Sequence, residues 1–316
     1  MGDLGPWPDP PTVSASSLVK WDTCRRSYFW SSYWSWTGWE RDAPRFRRLA
    51  YLLKKANSAY SVAGTYVHNE AIRLCQAAVN GGGLPDRDKA IDRVRRKMLD
   101  WAGQARTTTV DNATKARPLS IEVYYGEPLM VASATDNAVA CVQNLWESEH
   151  VEYLAEATPK NIGPGEWATP ILVLDEMSAV PIEVKGWRME LWAAPDLVYE
   201  GARGEVRLVD WKTGKERATD QAQLDVYALW CMERGTVAPD RAIRASDDYL
   251  QTGISRQDIP IADRALDRIE AMVVGLRKHV DKANKPNIEA ERWPKLPEGS
   301  RECGWCEYRE LCGRTR

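Results

Sequence analysis

No stretch of the 316-residue chain stays apolar for the roughly 18 to 20 residues that a membrane-spanning helix needs, so no such helix is expected. An excess of one charge is also missing: 43 basic against 45 acidic side chains give a formal net charge of −2. That balance excludes a wholly basic, DNA-coating protein, and any nucleic-acid site has to be a local patch. The first residues, MGDLGPWPDPP, carry neither a basic segment nor an apolar one, so no secretory signal is expected. There is no G-x-x-x-x-G-K-[ST] phosphate loop, and ATP-driven unwinding would have to come from another chain. Internal repeats, low-complexity tracts and a convincing linker are absent too. The chain is therefore read as a single domain, 1–316, with a helical N-terminal part.

Phenylalanine is nearly missing. Against 2 Phe stand 15 Trp and 12 Tyr, so almost every aromatic carries a polar handle. At 44% hydrophobic and 28% charged residues, the composition is that of a soluble globular protein with ample core. Of the 7 cysteines, Cys75, Cys141 and Cys231 sit alone in apolar contexts and read as core. Cys303, Cys306 and Cys312 cluster near one end, and Cys24 stands near the other. An odd count without a signal segment points to a reducing compartment, the cytoplasm, where clustered cysteines bind metal more often than they form disulfides.

Residues 1–13 are Pro-rich and predicted to be a loose arm, with a helix starting near Ser14. Further helices are predicted over about 62–79, ending at Gly81–Gly83, and over Arg87–Gln104, Asn137–Ala157, Thr219–Arg234 and Ala262–Ala283. Thr107–Pro118 reads as a loop. Ile171–Leu174, Ala179–Trp192 and a short piece near Asp248–Gln251 are strand-like. Leu197–Tyr199 and Val206–Trp211 flank a G-A-R-G turn and read as a hairpin. This order predicts an α/β protein with a mixed sheet flanked by helices.

Residues 194–215 read A-P-D-L-V-Y-E-G-A-R-G-E-V-R-L-V-D-W-K-T-G-K. Asp210 and Lys212 lie two apart on a strand, so their side chains leave the same face, and the hairpin brings Asp196 beside Asp210. Two converging carboxylates suit a hard divalent cation, Mg²⁺ or Mn²⁺. A lysine beside it suits positioning or activating water at a phosphodiester. Gln223 and Tyr227 fall on one face of the following helix and can look back at the pocket. Glu183-Val184-Lys185 is a second E-x-K, but neither P-D nor a Q-x-x-x-Y helix accompanies it. It reads as part of the strand feeding Asp196.

The order of P-D, hairpin, D-W-K-T-G and Q-L-D-V-Y resembles the PD-(D/E)xK nuclease superfamily, in particular its RecB-like branch. The resemblance implies a restriction-endonuclease-like core. It assigns Asp196 and Asp210 to a metal, helped by the backbone carbonyl of Trp211, and gives Lys212, Gln223 and Tyr227 catalytic or orienting roles. His68, in G-T-Y-V-H, occupies the place of that branch's G-x-x-x-H histidine, which makes it a further metal ligand and the site more hospitable to Mn²⁺. His150 and His279 have no such context and read as surface residues.

Cys303, Cys306 and Cys312 form C-x₂-C-x₅-C. With Cys24 in S-A-S-S-L-V-K-W-D-T-C-R-R-S-Y, the division of one early and three late cysteines resembles the iron–sulfur subclass of RecB-like nucleases. That subclass includes the AddB nuclease domain and the CRISPR-associated adaptation exonucleases. Arg25 departs from its pattern, standing where a Pro is frequent. Four thiolates suit a [4Fe–4S] cluster or, alternatively, a structural Zn²⁺, and either would join the two chain regions 14–60 and 300–316.

Aromatic residues from Trp21 to Trp39 precede Arg41, Arg45, Arg47 and Arg48. Most of these tryptophans are expected in the core, and the arginines on DNA phosphates. The expected activity is a metal-dependent exonuclease on single-stranded DNA ends, in phage or mobile-element recombination or repair. A helicase, recombinase or integrase partner is implied. One alternative is a CRISPR adaptation nuclease trimming spacer precursors with an integrase; another, of a different class, is a non-cleaving DNA-binding protein with a structural Cys₄ site.

Overall fold

The computed structural model describes residues 11–80, 84–157, 160–163, 166–168, 170–238, 241–280 and 285–314. Strand β1 (Thr12–Val13) leads into helices α1 (Ala15–Thr23) and α2 (Arg25–Phe29), then a π-helical turn over Trp30–Trp34. Next come α3 (Arg45–Lys55), α4 (Ala59–Val79), α5 (Arg87–Thr107), α6 (Ile121–Tyr124), α7 (Val131–Trp146) and α8 (Glu149–Glu156). Ser14 and Ser58 start α1 and α4 with reciprocal capping boxes, each hydroxyl accepting the N–H three residues on. Among the described residues no helix is long and apolar enough to cross a membrane.

The β-rich half begins with the paired strands β2 (Lys160–Gly163) and β3 (Glu166–Ala168). It continues with β4 (Ile171–Leu174), β5 (Ser178–Val184), β6 (Trp187–Ala193), β7 (Leu197–Glu200) and β8 (Val206–Lys212). Helix α9 (Asp220–Glu233), strands β9 (Ile243–Tyr249) and β10 (Ile254–Asp258), helix α10 (Ala262–Leu276) and the short α11 (Arg301–Gly304) follow. Five strands form one mixed sheet in the order β10-β9-β8-β7-β4, parallel only between β8 and β9. Strands β1, β6 and β5 form a second, smaller sheet.

The strand period of two divides the interior into two layers. Val206 and Leu208 of β8 pack with α9 and α10, together with Leu18, Trp21 and Phe29 of the N-terminal helices. Val209 and Trp211 point the other way, into the layer built by α4, α5, α7 and α8. Asp210 and Lys212 therefore share the α9 side of the sheet with Leu208. Cys75, Cys141 and Cys231 are buried, as their contexts predict.

Several expectations need correction. Residues 1–10 lie outside the described residues, but Thr12–Val13 of the expected arm pair in parallel with β6, and Val13 is buried. The segment Asn137–Ala157 is two helices, because the chain turns at Glu147–Ser148. Ala179–Trp192 is a hairpin, not one strand: Lys185 and Gly186 both adopt positive φ, as a tight two-residue turn requires. Glu183 is thereby exposed in the smaller sheet, opposite Arg188, while Lys185 pairs with Glu270 at 2.8 Å. The strand expected near Asp248–Gln251 belongs to the longer β9, and β10 was not foreseen. Helix α10 stops at Leu276; Gly81–Gly83 and Ala283 lie outside the described residues.

Neither remaining histidine is a surface residue. His150 is buried, its Nδ1 2.8 Å from the Tyr199 hydroxyl and its Nε2 3.2 Å from Ser246 Oγ. His279 is half-buried and stacks on Trp293, with ring centroids 4.5 Å apart; burial lowers its pKa.

Candidate active site

The β7–β8 hairpin places Leu197 opposite Val209, so Asp196 and Asp210 stand at the next position, side by side. Asp196 sits just before β7 and extends the ladder with its side chain: Trp211 N–H donates to Asp196 Oδ2 at 2.7 Å. The other oxygen, Oδ1, lies 3.1 Å from His68 Nδ1 on α4. Gly64 makes that approach feasible. A Cβ there would come within 2.9 Å of Thr213 Oγ1, so any side chain at this position would have to displace the Thr213 hydroxyl. His68 lies one helical turn further along the same face.

Asp210 and Asp196 are both buried. Burial, reinforced by the charge of Asp196 and opposed by Lys212, pushes the Asp210 carboxyl up to about 7. Burial works against the His68 cation, yet the charge of Asp196, its hydrogen bond and a further bond to the Trp211 backbone outweigh it, raising the imidazole to about 9. The ring, both carboxylates and the Trp211 backbone thus meet at one place.

Lys212 Nζ is in direct contact with Asp210 Oδ2 and donates to Gln223 Oε1 at 2.8 Å. It also lies 3.6 Å from Asp247 Oδ1 and 4.0 Å from Asp220 Oδ1. Burial disfavours the ammonium, but these carboxylates prevail and its pKa rises. A lysine held in its charged form suits charge stabilisation and the positioning of water, not proton abstraction. Gln223 bridges the cluster: its amide donates to Asp210 Oδ1 at 3.3 Å and to the Tyr227 hydroxyl at 2.6 Å. Burial holds the Tyr227 phenol well above its ordinary pKa, so it remains neutral.

Asp247 and Asp220 escaped the sequence reading. Asp247 reaches the site because β9 runs parallel to β8 with Asp247 in register with Asp210. Burial raises its carboxyl to about 6. Asp220, the first residue of α9, accepts from the Tyr249 hydroxyl at 2.8 Å. The signal available in advance was the run S-D-D-Y at a place where a short strand is expected, acidic where a buried strand is ordinarily aliphatic.

Four side chains on three elements, His68, Asp196, Asp210 and Lys212, open into one cavity of about 950 Å³. Gln223 and Tyr227 line it from α9, and Cys24, Cys303 and Cys306 line it as well. Cys306 Sγ accepts the Tyr308 N–H at 3.4 Å, and Cys312 Sγ accepts the Trp30 indole N–H at 3.4 Å. Burial lifts the Cys306 thiol to about 12. Arg314 donates to Cys303 Sγ. Among the described residues, no three His, Cys, Asp or Glu side chains converge on a point suited to an ion as they stand.

The arginines divide. Arg41 and Arg45 are exposed and Arg48 is half-buried, whereas Arg47 is buried, donating to Thr37 Oγ1 at 3.1 Å with its guanidinium over the Trp34 ring. Arg47 is therefore removed from the expected phosphate contacts. None of the four lines the cavity beside Asp210. Trp21, Tyr28, Phe29, Trp30 and Tyr33 are core residues, several packed on Trp293.

A mixed sheet flanked by helices, delivering two carboxylates and a lysine from adjacent strands to one cavity, is a restriction-endonuclease-like arrangement. The sequence matches the model of the PD-(D/E)XK nuclease superfamily over residues 12–313, nearly its whole length, and the chain belongs to that superfamily. Membership makes it a phosphodiester-hydrolysing nuclease. No protein of curated function matches the chain. Among solved structures, one described as "Crystal structure of SSO0001" is similar at 9% identity and a TM-score of 0.30, covering 59% of this chain and 81% of that one. That likeness is too distant to carry an argument.

Proposed function

We propose that this nuclease is a metal-dependent deoxyribonuclease that shortens single-stranded DNA from its ends, acting as one domain. The observation that carries the reading is the convergence of His68, Asp196, Asp210 and Lys212 on one cavity. The donor set fits a hard cation in its chemistry: one imidazole nitrogen and two carboxylates, with the Trp211 carbonyl beside them. Asp210 Oδ2 and Asp247 Oδ1 are buried and accept no hydrogen bond of ordinary geometry, although the Lys212 ammonium lies beside each. Such oxygens favour a second positive charge. His68, Asp196 and Asp210 would hold the ion.

Bound Mg²⁺ or Mn²⁺ would supply Lewis acidity at the scissile phosphate. Water attacks phosphorus, one P–O ester bond breaks, and the proton that the water gives up is balanced by the one the departing sugar oxygen takes up. Lys212 keeps its proton and opposes the negative charge that builds on the phosphoryl oxygens. Gln223 fixes the Lys212 ammonium by accepting a hydrogen bond from it, and is held in turn by its own hydrogen bonds to Asp210 and Tyr227. Asp196 holds His68 in place through Nδ1.

A [4Fe–4S] cluster on Cys24, Cys303, Cys306 and Cys312, with Zn²⁺ as the alternative, completes the proposal. Support comes from three of these cysteines lining one cavity, and from the N–H donors aimed at the sulfurs of Cys306 and Cys312. The decisive experiment uses protein purified without oxygen, single-stranded DNA labelled separately at each end, and Asp210→Ala as control. Progressive shortening by the wild type alone supports the reading; tight binding with no cutting in either metal refutes it.

A further inference from the structure

The cavity is chemically divided. Its inner end is the carboxylate and lysine cluster, yet its mouth carries three exposed large apolar side chains. Trp305 is 72% exposed, Met177 64% and Trp192 37%, and all three line the same cavity as Asp210. Exposed Lys215 and Arg217, on the loop that follows β8, add positive charge to its wall. An apolar mouth on a phosphodiester-cleaving site has a cost in water unless something flat and apolar covers it. The bases of an unpaired strand have that character; those of a duplex are already stacked.

We propose that Trp305, with Trp192 and Met177, is a base-stacking subsite for single-stranded DNA next to the scissile phosphate, while Lys215 and Arg217 take flanking phosphates. This rests on the nuclease reading of the cavity and deepens it. Trp305 lies between Cys303 and Cys306, immediately after α11, so the cysteine-rich turn sets where the indole stands. Aromatic stacking tolerates every base, so the subsite selects unpaired DNA over duplex without selecting sequence.

The test measures binding in chelator, where no cutting intervenes. The probes are a fluorescent oligothymidylate and the same sugar–phosphate chain with its bases removed. Trp305→Ala is expected to weaken oligothymidylate binding by about five- to a hundred-fold, the range for loss of one stacked base. It should leave the baseless chain nearly unaffected, and Trp305→Phe should restore most of the loss. Equal weakening on both probes, or none on either, overturns the subsite. So does duplex bound as tightly as single strand by the wild type. Should Trp305→Ala prove unfolded by circular dichroism, Trp192→Ala reads the same contrast. Failure of the wild type to cut any DNA in Mg²⁺ or Mn²⁺ is separate: it removes the nuclease reading and leaves the binding contrast to be judged alone.

Discussion

Asp210 and Asp247 face each other across the parallel pair β8–β9, register partners in the ladder, with the Lys212 ammonium touching the first and 3.6 Å from the second. Two buried carboxylates and the half-buried Lys212 ammonium sit together at the centre of a sheet, where the cation offsets both anions. Removing one changes the pKa and position of the other two.

Lys212→Ala is expected to lower cleavage by at least about 10²-fold, the usual cost of losing a preorganised charge in the transition state. Binding of end-labelled DNA in chelator should change only a few-fold. Retained cleavage would return Lys212 to the role of holding Asp210 and Asp247 together.

Asp247→Asn removes a like charge from beside Asp210 and loosens Lys212. Metal-free protein should melt at the same or a higher temperature, while cleavage falls by about an order of magnitude. Lower stability with unchanged cleavage would make Asp247 a structural residue alone.

Gly64→Leu should push α4 away from Thr213 and carry His68 with it. Overpacking of this kind costs about 1–3 kcal/mol, read as a lower denaturant midpoint. The loss of cleavage should exceed what the unfolded fraction accounts for. Proportionate losses would mean that Gly64 serves packing only.

The metal-free protein should lose stability as pH rises from about 4 to about 9. Asp210 is raised to about 7 and Asp247 to about 6, both chiefly by burial, while His68 is raised to about 9 because Asp196 outweighs the burial that opposes its charge. All three bind more protons folded than unfolded within this range, so stability falls with pH. Mn²⁺ competes with those protons, and its thermal stabilisation should grow as pH rises. Melting curves in chelator and in Mn²⁺ check both statements; a stabilisation independent of pH would exclude His68 as a ligand.

Cys306→Ala should reduce iron and sulfide, or zinc, to near background in protein purified without oxygen. Metal analysis with visible absorption reads the result directly. A variant with undiminished metal would remove Cys306 from the ligand set.

Much of this site could be read in advance, because its signals are local. A strand alternates its faces every two residues, so D-x-K places Asp210 and Lys212 together wherever the strand lies. The turn at 201–204 is short enough that hairpin pairing brings Asp196 alongside. Gln223 and Tyr227 follow from one helical turn. The residues that escaped are long-range: Asp247 arrives through a parallel pairing whose register no nearby turn determines. Arg47 and His150 were misread for a related cause. Whether a polar side chain faces water or a buried partner such as Thr37 or Tyr199 depends on what packs over it.

By itself, the sequence determined the order of most elements, the family and the juxtaposition of Asp196, Asp210 and Lys212, because periodicity and short turns act over a few residues. Tertiary structure alone decided that His68 Nδ1 pairs with Asp196 Oδ1, that Asp247 joins the charge cluster, and that Trp305, Cys303 and Cys306 line the same cavity as Asp210. Those relationships join segments far apart in the chain, and only the packing of α4, β9 and the C-terminal turn onto one sheet brings them together.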